Sequence, residues 1–133
     1  MTKAPHLLIV DDEPNVLLTL GMIFELDGYK VSKAKSCAEA LGMLSNPTRY
    51  DAVITDLSME RHDVGLDVAR AAMLLNPRPV VVICTGYADL GNTQAALDMR
   101  VDYFATKPVD VDELKNAIRR LKQRNMLVRK IAG

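Results

Sequence analysis

The chain has 133 residues, 49% of them hydrophobic and 26% charged, which suits one domain with a real core and leaves little room for a second. Seventeen Lys and Arg balance seventeen Asp and Glu, so overall charge does not draw the molecule to nucleic acid or a membrane. No apolar run approaches membrane-spanning length, and residues 1–6 lack a signal-peptide core, which makes a cytoplasmic location the expectation. Cys37 and Cys84 are too few for a disulfide scaffold and too far apart for a metal motif. Both read as reduced thiols, with Cys84 inside an apolar run as core.

In chain order, the apolar run at residues 6–10 ends in Asp11-Asp12 and is followed by a helical face of Val16, Leu17, Leu20, Ile23, Phe24 and Leu26, stopped by Gly28. Lys30, Val31 and Ala34 mark a weaker strand. Ser36 and Glu39 form a capping box that opens a helix with Ala38, Leu41, Met43 and Leu44, stopped at Asn46-Pro47. The run at residues 52–54 ends at Asp56, and its helix carries Val68, Ala69, Ala72, Met73 and Leu75 up to Asn76-Pro77. The run at residues 80–84 ends at Thr85 and leads to Ala95, Ala96, Leu97 and Met99. Residues 101–105 end near Lys107, and the last helix starts within residues 110–112 with an inward stripe of Leu114, Ala117, Ile118 and Leu121.

Short continuous apolar runs suit strands buried on both faces, and strict strand–helix alternation implies a parallel sheet with right-handed crossovers. No repeat, low-complexity stretch or linker interrupts this α/β pattern. A compact domain of this kind is complete at residues 1–121. Residues 122–133 then read as a helical extension, because Met126, Leu127, Val128 and Ile131 follow with no Pro or Gly before Gly133. Such a stripe pairs with a second copy or leads into an output segment. The cations after Glu113, among them Arg119, Arg124 and Arg129, read as a solvated face that complements the helix dipole.

In open α/β sheets, ligands bind outside the carboxyl ends of the strands. Asp11, Asp12, Asp56, Thr85 and Lys107 all fall there. Each has an ordinary reading by itself: Asp12 as a helix cap, Asp56 as a turn residue, Thr85 as a cap and Lys107 as a solvated charge. Together they place three acids at one edge, which costs stability unless it serves a purpose. Hard cations such as Mg²⁺ take carboxylate oxygens, here from Asp12 and Asp56, with Asp11 acting through a water. An Asp carboxylate is also a nucleophile for phosphoryl groups, and a hydroxyl and an ammonium suit the transferred oxygens. The set therefore reads as a metal-assisted phosphoacceptor site with Asp56 as nucleophile.

Four blocks in order resemble the receiver domain of two-component response regulators: Ile9-Val10-Asp11-Asp12-Glu13-Pro14, Ile54-Thr55-Asp56-Leu57-Ser58-Met59, Ile83-Cys84-Thr85-Gly86-Tyr87-Ala88 and Tyr103-Phe104-Ala105-Thr106-Lys107-Pro108. The resemblance implies a flavodoxin-like (βα)5 fold with strand order 2-1-3-4-5. It implies phosphoryl transfer to Asp56 from a sensor histidine kinase or phosphotransfer protein, with Mg²⁺ held by Asp12, Asp56 and the carbonyl of Ser58. Thr85 and Phe104 would be the switch pair, Lys107 would bridge to the phosphoryl group, and Lys107-Pro108 would be cis. The implied role is a switch acting on a downstream partner or output domain; its only chemistry is self-phosphorylation and self-dephosphorylation.

The chain departs from the family pattern at Glu60, where a Pro is usual, and in Asp63-Val64-Gly65-Leu66, which adds one residue before Gly-Leu. The loop at residues 58–65, with Arg61 and His62, is therefore expected to be longer than usual. Arg100-Val101 also replaces the usual Gly-Ala. A haloacid-dehalogenase-type phosphatase needs an acid two residues after the nucleophile, where Ser58 stands. A flavin site needs a Gly-rich first turn, which here is acidic. A DNA-binding regulator needs a helix-turn-helix, and none follows the basic helix.

Overall fold

Side-chain alternation along each strand divides the apolar residues between two cores, one on either face of a single sheet. The computed structural model describes residues 3–46, 48–57, 59, 64–86 and 90–132. Its elements alternate without exception: β1 (His6–Val10), α1 (Pro14–Leu26), β2 (Lys30–Ala34), α2 (Cys37–Ser45), β3 (Ala52–Asp56), α3 (Gly65–Met73), β4 (Val80–Thr85), α4 (Leu90–Asp98), β5 (Tyr103–Thr106) and α5 (Val111–Ala132). All strand pairs are parallel and the order is β2-β1-β3-β4-β5, as expected.

Leu7, Ile9, Ala52, Ile54, Val80, Val82 and Cys84 face one way and pack with Leu20 and Phe24 of α1 and Leu114 and Ile118 of α5. Leu8, Val10, Val53, Val81 and Ile83 face the other way, onto Ala40 and Leu44 of α2, Val68, Ala69 and Ala72 of α3, and Ala96 of α4. The β1, β3 and β4 positions are almost entirely buried, which explains their continuous apolar runs.

Local signals account for most boundaries. Pro14 opens α1, and Gly28, at φ +93°, takes the left-handed conformation just past its end. Ser36 Oγ accepts a hydrogen bond from the Glu39 N–H at 3.1 Å, and Glu39 reaches back to the Lys35 N–H at 3.3 Å. Some expected core positions are corrected. Leu26 is 88% exposed, because two residues beyond Phe24 it lies about 200° round the helix. In α2 the inward positions are Cys37, Ala40 and Leu44, whereas Ala38 and Leu41 face solvent. Leu97 of α4 is exposed beside buried Ala96. Helix α3 ends at Met73, so Leu75 lies beyond it, three residues short of where Asn76-Pro77 were expected to stop it.

Helix α5 runs without interruption over 22 residues. Leu114, Ala117 and Ile118 are buried and Leu121 is partly so, while Met126, Leu127, Val128 and Ile131 stand in solvent. Among the described residues, no helix is long and apolar enough to cross a membrane.

Candidate functional site

The same alternation that builds the α1/α5 core puts charge on its rim. Leu7 and Ile9 are followed on their face of β1 by Asp11, and Ala52 and Ile54 on β3 by Asp56. On β5, Tyr103 and Ala105 are followed by Lys107. Three charged residues thus continue three apolar stripes to the carboxyl edge of the sheet. Asp11 is 3% exposed and Asp56 is 6% exposed, a degree of burial that carboxylates tolerate only with partners.

The partners are explicit. Lys107 Nζ donates to Asp11 Oδ2 at 2.9 Å and to Asp56 Oδ2 at 3.3 Å. The other Asp11 oxygen accepts the Glu13 N–H at 2.9 Å. Asp11 therefore does not act as a free surface acid; it ties the start of α1 to the ammonium. Partial burial pulls the Lys107 ammonium down, but its hydrogen bond to Asp11 and the charges of Asp56 and Asp11 outweigh this and hold its pKa above the ordinary lysine value.

The backbone around Asp56 is equally fixed. Thr55 Oγ1 donates to the Asp56 carbonyl at 3.0 Å, and the Leu57 N–H donates to the Cys84 carbonyl at 3.1 Å. The Gly65 N–H closes the return of the chain by donating to the Leu57 carbonyl at 2.8 Å. A Cβ at Gly65 would lie 1.9 Å from the Asp56 carbonyl oxygen, so glycine is what lets α3 begin against the end of β3. On β5, the Lys107 N–H donates to the Thr85 carbonyl at 2.8 Å. The Lys107–Pro108 peptide is cis, and so is Asn76–Pro77.

Carboxylate oxygens of Asp11, Asp12, Glu13 and Asp56 all lie within 4.8 Å of one another. Asp12 and Glu13 are exposed, so the cluster opens to water above two buried acids. An all-oxygen, all-carboxylate set of mixed burial fits a hard divalent cation that keeps several waters, which is the coordination Mg²⁺ prefers. Asp12 does not cap α1: the capping position belongs to Glu13, and no side chain caps it. Glu13 is the member that sequence reasoning missed, although its signal was present as the third acid of the run. It also stands 3.9 Å from Lys107 Nζ.

Thr85 and Phe104 occupy the opposite face. The register pairs Ile83 with Phe104 and Thr85 with Thr106, so the Thr85 and Phe104 side chains share the α2/α3/α4 side of adjacent strands. Thr85 is buried, and Phe104 is half-buried against that core. Ser58, together with Glu60, Arg61 and His62, falls outside the described residues, as do Tyr87 and Ala88. Cys84, on the Asp56 face, is a buried thiol whose pKa burial pushes up to about 12, so it is inert near neutrality. Cys37 is likewise a buried thiol outside any disulfide. Beside the site, a cleft of about 340 Å³ runs between α1 and the start of α5, with Val16, Leu20, Ile23 and Val109 near Asp56 and Lys107.

The chain is similar to known proteins. The family model described as response regulator receiver domain matches residues 7–119. The transcriptional regulatory protein GlrR of Escherichia coli K12 is 40% identical over 116 residues, covering 87% of this chain but 26% of GlrR. The response regulator MprA of Mycobacterium sp. KMS is 32% identical over 119 residues, covering 90% of this chain and 51% of MprA. The chain thus spans only a quarter to a half of these relatives. Among solved structures, a CheY-like receiver domain protein from Methanospirillum hungatei superimposes with a TM-score of 0.85 at 27% identity, over 92% of this chain and 97% of that one. Fold, carboxyl-edge acid cluster and family match agree, and the chain belongs to the receiver domains of two-component response regulators.

Proposed function

We propose that Asp56 is the phosphoacceptor of this receiver domain and that Lys107, Thr85 and Phe104 convert its phosphorylation into a change at the β4–β5 side of the molecule. The observation that carries this reading is the pairing of a 6%-exposed carboxylate at the end of β3 with an ammonium 3.3 Å away, at the floor of an acid cluster open to water. Family membership supplies the chemistry: receiver domains act as phosphoacceptor switches served by histidine kinases or phosphotransfer proteins.

In the proposed step, an Asp56 carboxylate oxygen attacks the phosphorus of a phosphohistidine. The P–N bond breaks, the imidazole leaves with a proton, and an acyl phosphate forms on Asp56. Lys107, already held beside that oxygen, compensates the added negative charge without reorganising. Asp12 and Asp56 would hold Mg²⁺, with Asp11 through water, Glu13 at the rim and the Ser58 carbonyl as a further ligand; the ion when bound neutralises phosphoryl oxygens. Attack by water on the phosphorus then breaks the bond to Asp56, returning the carboxylate and releasing phosphate. The apolar cleft beside Asp56 suits a partner that must bring its histidine to a buried carboxylate.

For transmission, the Thr85 hydroxyl is close to the strand end and shares a face with half-buried Phe104, so its movement toward a phosphoryl oxygen alters the packing of that ring. Thr85→Ala is expected to accept phosphate yet to lose the amide shift changes between residues 85 and 104. Equal changes in wild type and Thr85→Ala would refute the coupling. Residues 1–121 constitute the switch in this reading, and residues 122–133 extend α5 toward a second copy or an output segment of a longer regulator. The exposed Leu127 and Ile131, one turn apart, support pairing with a second copy. Truncation after Leu121 should keep phosphorylation and abolish self-association in sedimentation; identical monomeric behaviour of both chains would refute the pairing.

A further inference from the structure

The opposite edge of the sheet carries a second concave region that the phosphoacceptor chemistry does not use. A groove of about 870 Å³ lies between the second half of α5 and the amino-terminal ends of β1 to β4. Its walls include Lys3, Lys30, Arg49, Arg78, Lys122 and Arg129, against one acid, Asp51. That acid is already engaged, since Asp51 Oδ2 accepts the His6 N–H at 2.7 Å. Arg78 is tied to Asp102 at 3.1 Å, and Lys122 lies 4.5 Å above the Tyr29 ring. Among the described residues, Lys3, Lys30, Arg49 and Arg129 form no salt bridge.

Two further observations concern the residues of its walls. Among the described residues, Arg78 Nε is the one buried side-chain nitrogen or oxygen with no hydrogen-bond partner, and such donors are costly to leave unpaired. The His6 imidazole on the same wall is held below its ordinary pKa chiefly by burial and then by the Lys30 charge, against the opposing pull of Asp51. Cations of one sign converging on a recess repel one another and focus the field on an anion. Between the charges, the walls are apolar at Pro5 and Met126.

We propose that this groove binds a small phosphorylated molecule of nucleotide size, its phosphates held by Lys30, Arg49 and Arg129 and its apolar portion resting on Pro5 and Met126. The volume falls within the range of small-molecule sites. A recess beneath a helix does not match a DNA duplex, which is read by elements that enter its grooves. Arg forks and convergent ammonium groups match the charge density of phosphate better than the dispersed carboxylates of an acidic peptide.

The test uses the isotope-labelled full chain at low salt, without metal, titrated with ATP and separately with inorganic pyrophosphate. Saturable amide shifts are expected at Lys30, Arg49, Asp51 and Arg129 with Asp56 and Lys107 unmoved, and tighter binding of ATP than of pyrophosphate. Lys30→Glu combined with Arg129→Glu should weaken ATP about tenfold or more while leaving Asp56 phosphorylation intact. If that double variant does not fold, Arg49→Gln provides the same comparison with a smaller loss. No saturation by about 10 mM ATP overturns the proposal. So do unchanged affinity in the variants, equal affinity for pyrophosphate, and tighter binding of an oligoglutamate or a single-stranded oligonucleotide to the same residues.

Discussion

At the carboxyl edge of the sheet, buried Asp11 and Asp56 are paired with partly buried Lys107, whereas at the amino edge Lys3, Lys30 and Arg49 gather in a groove with Asp51 as its one acid. The two ends belong to the same strands of a chain with zero formal net charge. Their difference shows that charge balance over the whole molecule says little about either end. Opposite charges buried within hydrogen-bond reach hold one carboxylate in place for chemistry. Like charges facing a recess repel one another and focus the field there.

This contrast can be broken by substitution. The largest effect is expected from Gly65→Ala, which sets a Cβ against the Asp56 carbonyl at the carboxyl edge. A loss of about 3 kcal/mol should appear in urea unfolding, since backbone atoms must shift to admit the methyl. A loss below about 0.5 kcal/mol would mean that α3 is not pinned to the end of β3.

Next comes Lys107→Ala, which leaves two buried carboxylates without their cation and should cost about 2 kcal/mol near neutral pH. The sign of its pH dependence follows from the raised lysine pKa. The pair's contribution is fully present below the ordinary lysine value of 10.5 and disappears as pH climbs through the still higher folded value. Wild type and variant should therefore differ constantly across neutral pH and, on the alkaline side, converge only above the lysine range. A gap that closes before the lysine range would contradict the pairing.

The smallest effect, of opposite sign, is expected at the other edge. Arg49→Ala or Lys30→Ala should leave stability within about 0.5 kcal/mol or raise it slightly, because each removes a like-charge repulsion without breaking a pair. Thermal melts at low and high salt check this: any gain should fade as salt screens the groove.

Much of the fold was legible in the sequence because strands buried on both faces leave continuous apolar runs. The polar residue ending each run then marks the carboxyl edge, where Asp11, Asp56, Thr85 and Lys107 stand. Pairwise geometry was not legible. Nothing in the spacing says that Lys107 spans to Asp11, 96 positions away, or that Glu13 joins the cluster. Helical faces were the weaker part, since Leu26, Ala38, Leu41 and Leu97 fit an apolar count but lie off the inward stripe by a residue or two. The amino-edge groove could not be read at all, because its cations come from separate segments that only the parallel sheet brings together.

In the proposed switch, everything follows from phosphoryl transfer to Asp56. Intact-mass measurement of the chain after incubation with Mg²⁺ and a small phosphodonor tests it most directly, comparing wild type with Asp56→Asn. One added phosphoryl group is expected in wild type, stable in acid and lost in base, and none in Asp56→Asn. A phosphoryl group that persists in the variant would contradict it.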